Sequence, residues 1–332
     1  MTVLLVGNPT AQSGKNKARI DRALGLFRDA GVRSELLPTL PFGKTIGAVR
    51  DALDAGAFEK VVAMGGDGTF REVAAGLYTS ARRSDVALGM LPTGTANDQG
   101  KSFGLEASPG ALARNVEVIC EGRETRLDVG ELRTDPSADP DLFFDSAGWG
   151  LSARVLATRN RDREMIAKLG PLKELYRDHA VYAGAFLKTF VDSYVIDDKL
   201  RAVAVLDGVR VELSGLTDLI VKNTKIYAGA WVFDHDSKHD DGLFELVPFC
   251  GKRDWASKAI VDLQGNPISE QLLNEIGIAH SPHYRARHMS LELFAPAHGA
   301  PLAAQIDGEE WPASTKVDIT VVARALRLVV PA

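Results

Sequence analysis

"VVAMGGDGTF" (Val61–Phe70) is the stretch whose reading decides the fold. An apolar run ends in Gly65, Gly66 and Gly68 around a single acid, Asp67. A helical pattern follows at once, with Phe70, Val73, Ala74 and Leu77 on one face of "FREVAAGLYTS". Glycine tolerates positive φ and lets a ligand approach the backbone. A glycine turn leading from a strand end into a helix N-terminus points several N–H groups outward, and such a turn binds anions, phosphate above all. Gly65, Gly66, Gly68 and Thr69 are therefore expected to form a phosphate cradle. It lies at the carboxyl edge of a sheet, where open α/β folds bind their ligands. A tight turn without a ligand is the alternative, and the strand-turn-helix setting favours the cradle.

Outward from this turn, the first 125 residues alternate strand and helix. "TVLLV", "SELLP", "KVVAM" and "VALGML" read as strands. "KARIDRALGLFRDAG" places Ile20, Leu24 and Phe27 on one helical face, with Gly31 as a stop, and "KTIGAVRDALDAG" does the same with Ile46, Val49 and Leu53. "SPGALARNVEVICEG" starts near Pro109 and ends near Gly122. This order implies a mostly parallel sheet covered by helices. Near Asp128 the pattern turns β-like, and Asp207-Gly208 between two alternating runs signals a hairpin. Helical segments are expected at about 155–192 and 253–276. The fold class is thus an α/β N-terminal domain, followed by a largely antiparallel, β-sandwich-like C-terminal domain.

Two further loops carry the same theme. "NPTAQSGK" follows the first strand, with Asn8, Ser13, Gly14 and Lys15 as candidate nucleotide contacts. "LPTGTAND" (91–98) follows the fourth, with Thr93, Gly94, Thr95 and Asn97 as small donors. Neither "PTLPFGKT" nor "GNPTAQSGKN" has the spacing of a P-loop, and there is no GxGxxG. The chain is 332 residues long with a formal net charge of −5, which argues against a nucleic-acid binder. Cys120 and Cys250 form no CxxC motif and read as reduced structural thiols. No apolar run reaches the roughly 18 residues of a membrane span, and the N-terminus does not read as a signal peptide. The basic-leaning run 153–179 and "HAVYAGAFLKTFV" read as a solvated helix and as core packing rather than as membrane contacts. His280, His283 and His288 match no zinc template and read as structural, and the acidic loop "FDHDSKHDDG" suits an oxygen-bound cation better than a transition metal.

"NPTAQSGK", "GGDGTFREV", "LPTGTAND", "LDVG" (127–130), "SAGWGLSA", "DDGLFEL" (240–246) and "IDGE" (306–309) occur in this order across nearly the whole chain. In them the sequence resembles the bacterial soluble diacylglycerol kinases, within a superfamily that also holds sphingosine, ceramide and NAD kinases. The resemblance implies ATP between two domains, 1–125 and 126–317, with 318–332 returning to the first as a closing strand. It implies nucleotide contacts at Asn8, Pro9, Thr10, Ser13, Gly14, Thr39, Gly65, Gly66, Asp67, Gly68, Thr69, Phe70, Arg71, Glu72 and Thr95. Asp67 would also help organise Mg²⁺, and Asp98 and Asp128 would join a water-linked acidic network. Asp241 with the carbonyls of Lys238 and Leu243 resembles a structural Mg²⁺ site. Asp307 and Glu309 match the acidic pair beside the transferred phosphate, one of which is the base, with Glu309 preferred. On a continuing strand, both carboxylates would share a face.

The expected activity is ATP- and Mg²⁺-dependent phosphorylation of diacylglycerol or a related lipid by a cytoplasmic protein touching the inner membrane surface, with a homodimer as a further expectation. Ceramide or sphingoid-base kinase, NAD kinase and a non-catalytic lipid- or nucleotide-binding module are the alternatives.

Overall fold

The computed structural model describes residues 1–10, 15–94, 97–106, 108–168, 199–227, 231–232, 237–250, 283–295 and 302–332. In the first half β1 (Thr2–Gly7), α1 (Lys15–Asp29), β2 (Arg33–Pro38), α2 (Lys44–Ala55), β3 (Lys60–Gly65), α3 (Asp67–Thr79) and β4 (Ala87–Pro92) alternate as the apolar periodicity requires. The short helix α4 (Asp98–Ser102) and α5 (Leu112–Glu121) follow, the latter behind a 3-10 turn at Pro109–Ala111. β1 to β4 pair in parallel in the order β2-β1-β3-β4. Helices cover both faces. Val49, Leu53, Phe70, Val73 and Leu77 pack on one side, and Ile20, Phe27, Val116 and Ile119 on the other. Each fully buried phenylalanine contributes roughly 1.5–3 kcal/mol.

The second half comprises β5 (Arg123–Arg133), β6 (Asp141–Phe143), β7 (Ser146–Gly150), α6 (Leu151–Lys168), β8 (Leu200–Leu206), β9 (Val209–Leu216), β10 (Asp218–Lys222), β11 (Ile226–Tyr227), β12 (Trp231–Val232), β13 (Phe244–Phe249), β14 (Tyr284–Ala286), β15 (His288–Phe294), β16 (Ala304–Ile306), β17 (Glu309–Trp311) and β18 (Lys316–Val330). Six of these strands form an antiparallel sheet in the order β14-β13-β10-β7-β16-β17. It packs against the antiparallel end of a ten-stranded sheet, in which β1 to β4 continue as β4-β18-β15-β8-β9, through Phe143, Trp149, Leu219, Phe244, Leu291 and Ile319.

β18 joins the two halves. Its C-terminal end runs parallel to β4, and most of its length runs antiparallel to β5. A register shift between Val322 and Leu326 bends it where it passes from one half to the other. Asp207 and Gly208 take positive φ and close the β8–β9 hairpin, as the Asp-Gly pair predicts. α6 occupies the first part of the helical segment expected at 155–192. The rest of that segment and the one at 253–276 lie outside the described residues.

Candidate functional site

The carboxyl ends of the parallel strands carry the expected loops. Asn8 follows β1, and its Oδ1 accepts the N–H and the hydroxyl of Thr10 at 2.9 and 2.8 Å. Asn16, in the first turn of α1, donates to the Asn8 carbonyl at 2.7 Å. The Thr39 N–H donates to the Gly7 carbonyl at 3.1 Å, and the Thr93 N–H to that of Gly65 at 2.8 Å. These bonds align the loops after β1 to β4 along one edge. Pro9 and Thr10 sit on that edge, while Ser13, Gly14 and Thr95 lie outside the described residues.

α3 starts at Asp67, earlier than the periodicity alone shows, so Asp67, Gly68 and Thr69 form its first turn. Their N–H groups are among those that a helix start leaves without intrahelical partners. Gly66 and Gly94 face each other backbone to backbone, and a Cβ on Gly66 would meet the Gly94 Cα at 3.2 Å. Asn97 fixes the second loop. Its Oδ1 accepts the Gly94 N–H and its Nδ2 donates to the Gly94 carbonyl, both at 2.9 Å. The Asn97 amide, expected as a ligand donor, is thus spent on shaping the loop.

Asp67 points to the start of α4, where its Oδ1 accepts the Gln99 N–H at 3.3 Å. Burial raises its pKa first and the nearby Asp145 carboxylate second, against the backbone N–H groups of Asp98, Gln99 and Asn97. Asp67 therefore ties the two glycine loops together. The Phe70 ring is fully buried between Phe103 and Phe144, with centroids 5.5 and 6.3 Å away. Its side chain packs the core and does not line the edge, because the period that puts it beside Val73 and Leu77 turns it inward. Arg71 reaches the other way. Its Nε donates to the Leu142 carbonyl at 3.4 Å and lies 3.8 Å from Asp307 Oδ2. Glu72 is half-buried on α3.

The acidic pair is not on a continuing strand. Asp307 and Gly308, both at positive φ, form the turn between β16 and β17. The Asp307 carboxylate is buried and accepts the N–H groups of Phe144, Asp145 and Ser146 at 2.8–3.2 Å. Glu309 follows on β17 and is exposed. A Cβ built on Gly68 would meet Glu309 Oε1 at 3.5 Å, so this carboxylate stands directly over the glycine turn. The two acids have different surroundings, and Glu309 alone is open to solvent.

Burial pushes Asp307 up to about 6 from an ordinary 3.8, the Arg71 guanidinium pulls it down, and Asp145 raises it again. Folded Asp307 thus holds its proton more tightly than unfolded Asp307. Its contribution to stability is full below about pH 4 and is lost as pH rises through about 6. An Asp307→Asn variant should remove this segment of the stability-versus-pH curve. At about 1.4 kcal/mol per pH unit, wild type should gain roughly 3 kcal/mol on the variant between pH 7 and pH 4. Urea denaturation across that range measures it, and a flat difference curve contradicts the buried titration.

Sequence reasoning missed the residues behind this hairpin. Lys222 Nζ lies 2.7 Å from Asp145 Oδ1 and 2.8 Å from the Ile226 carbonyl, and both side chains are buried. The Thr224 hydroxyl donates to the same Asp145 oxygen. The only signal for these residues in the sequence is a lysine inside the apolar strand "DLIVK".

Asp98 starts α4 beside Asp67, whereas Asp128 in β5 accepts the N–H groups of Gly242 at 2.7 Å and Arg324 at 2.5 Å. Asp241 Oδ1 accepts the Leu243 N–H at 3.0 Å across a turn at Gly242. The resemblance joins Asp241 with the carbonyls of Lys238 and Leu243, which would be an all-oxygen set of the kind that suits Mg²⁺. Among the described residues no group of three or more His, Cys, Asp or Glu side chains could hold a metal.

Residues 2–132 match the family model for the diacylglycerol kinase catalytic domain. A Klebsiella pneumoniae protein named "Probable lipid kinase YegS-like" is 33% identical over 162 residues, which cover 49% of this chain and 50% of that protein. The chain therefore spans about half the length of that relative. A diacylglycerol kinase of Staphylococcus epidermidis is 30% identical over 251 residues, 73% of this chain and 68% of that one. The crystal structure of a diacylglycerol kinase from Bacillus anthracis str. Sterne superposes with a TM-score of 0.69 at 20% identity, covering 99% of this chain and 96% of that one, and shares the fold. With 30% identity across more than two thirds of the staphylococcal enzyme, the chain belongs to the diacylglycerol kinase family.

Proposed function

We propose that this protein transfers the γ-phosphate of ATP to a hydroxyl of diacylglycerol or a related two-chain lipid. The observation that carries this reading is the exposed Glu309 carboxylate over the Gly68 turn. The turn at the head of α3 and the Gly94 loop would hold the triphosphate by backbone N–H groups, where phosphoryl transfer needs positioning and charge compensation. Asn8, Pro9, Thr10, Ser13, Gly14, Thr39 and Thr95 would border the nucleotide. Glu309 would take the proton of the acceptor hydroxyl as its oxygen bonds to the γ-phosphorus and the bond to the β,γ-bridging oxygen breaks, releasing ADP. Asp307 would act as the anchor of the hairpin, not as the base. Asp241 with the carbonyls of Lys238 and Leu243 would hold a Mg²⁺, whose charge would brace the 238–243 turn.

In the same reading, residues 1–125 with 318–332 form the nucleotide domain and 126–317 the lipid domain. The parallel strands β1 to β4 and the antiparallel order β14-β13-β10-β7-β16-β17 support this division, although the core around Phe70 also takes in Leu127, Val129 and Phe144. Among the described residues no helix is long and apolar enough to cross a membrane. A lipid acceptor would then be met by peripheral contact from the cytoplasmic side, and a homodimer belongs to the same proposal.

Incubation with γ-labelled ATP, Mg²⁺ and separate mixed micelles of diacylglycerol, ceramide and sphingosine, with NAD as a soluble control, tests this reading. Label in phosphatidic acid is the expected result. Label only in ceramide, sphingosine or NAD reassigns the acceptor, and label in none refutes the kinase reading. The nucleotide side has its own test. A Gly94→Ala methyl would be driven into the Gly66 backbone and would also meet Asn97 Oδ1 at 3.0 Å. The two loops must then part, and the Kd for ATP should rise about tenfold or more, the loss of one or more good phosphate hydrogen bonds. Nucleotide titration by equilibrium dialysis checks it.

A further inference from the structure

The β7–β16 ladder that carries the acidic hairpin ends at the Ile306–Ala147 pair. Beyond it, the hairpin is held by the Asp307 carboxylate on the N–H groups of residues 144–146, with the Asp307 N–H returned to the Ser146 carbonyl at 2.8 Å. The end of β10 grips that same segment. The Asn223 N–H donates to the Asp145 carbonyl at 2.9 Å, and Asn223 Nδ2 donates to the Phe144 carbonyl at 2.9 Å. Lys222 Nζ meets the Asp145 side chain at 2.7 Å, and the Ser146 hydroxyl donates to the other Asp145 oxygen at 3.0 Å. Lys222 is 2% and Asp145 4% exposed.

A buried ion pair is a costly way to gain stability, since an apolar pair of similar volume often does as well. Its distinct property is direction: one short charge-assisted bond adds a fixed tie to the 144–146 segment beyond the β7–β10 ladder, which starts at Ser146 and Lys222.

We propose that the Lys222–Asp145 pair is the positioning device of the acidic hairpin, holding the backbone that cradles Asp307 and so setting where Glu309 stands over Gly68. This rests on the reading of Glu309 as the proton acceptor. Neither residue touches the reacting atoms in this scheme. They act through the chain from Lys222 to Asp145, to the 144–146 N–H groups, to Asp307 and to Glu309.

The test compares the full chain with Lys222→Met and with the double variant Asp145→Asn/Lys222→Met. Melting temperature, ATP-dependent lipid phosphorylation and hydrogen exchange by mass spectrometry are the readouts. Lys222→Met leaves an uncompensated buried carboxylate and should melt lower. The double variant leaves no unpaired charge, so it should recover the melting temperature and carries the test if the single variant does not fold. In the double variant kcat should stay about tenfold down with the KM for ATP unchanged, as expected for a misplaced catalytic group. Exchange should quicken in residues 304–311 and stay at wild-type rates in residues 60–79. Recovery of kcat and hairpin exchange together with the melting temperature would make the pair a stability element only and overturn the proposal. So would exchange that rises equally in both segments. Should the wild type phosphorylate no lipid, the kinase reading fails by itself, and the exchange comparison still decides whether the pair holds the hairpin.

Discussion

Replacing Glu309 with Gln should lower kcat for lipid phosphorylation about a thousandfold, within the range contributed by a positioned general base. The KM for ATP should change by less than about twofold and the melting temperature hardly at all, as is usual for exposed positions. Glutamine keeps the shape of the side chain and the turn that presents it, and it cannot accept a proton. In the proposed reading Asp307 does not take over. Its carboxylate is buried and receives three backbone N–H groups, so moving it to the acceptor would dismantle the hairpin. A glutamine variant retaining more than about a tenth of wild-type kcat would remove Glu309 from the chemistry, since losses of about a hundredfold are the least expected of a base.

The contrast between these two acids shows what a sequence can and cannot carry. The alternation of strands and helices in the first half was legible because one-sided burial imposes a period of 3.6 on helices such as α2, where Val49 and Leu53 point inward. The Asp207-Gly208 hairpin was legible because few dipeptides tolerate two consecutive positive φ angles. At Asp307-Gly308 the same pair leaves two readings open, a hairpin turn or a strand that continues with both carboxylates on one face, and the positive φ of both residues shows the turn. Phe70 carried two readings at once, and its helical period decided for the core.

The pairing of Asp145 with Lys222 was out of reach because it spans 77 positions and depends on β7 and β10 lying side by side. Alternation identifies the residues on a strand face but not the neighbouring strand. The exchange of hydrogen bonds between Asn97 and Gly94 was hidden for a related reason. A polar residue in a glycine loop can serve a ligand or the loop itself, and its αL backbone, at φ 54°, shows the second.

The largest stability effect is expected at Asp128. An Asp128→Ala variant should lose about 2–4 kcal/mol, because the buried Gly242 N–H is left without an acceptor at about 1–3 kcal/mol, the part-buried Arg324 N–H loses its bond as well, and a small cavity opens. One of them, the Arg324 N–H, belongs to the bend of β18, where Arg324 has a positive φ of 55°. The other, the Gly242 N–H, belongs to the turn that carries Asp241. The Asp128 backbone adds to the junction, since its N–H donates to the His239 carbonyl at 2.7 Å and its carbonyl accepts Asn223 Nδ2 at 2.8 Å. One side chain therefore holds the bent strand shared by the two halves against the 238–243 turn. Asp128→Asn keeps one acceptor and turns a donor toward the other N–H, so its loss should fall between wild type and alanine. Chemical denaturation of the three proteins orders them. An alanine variant within about 1 kcal/mol of wild type, the range of ordinary surface changes, would mean that the bend of β18 is held by its strand pairing with β5 and not by the carboxylate.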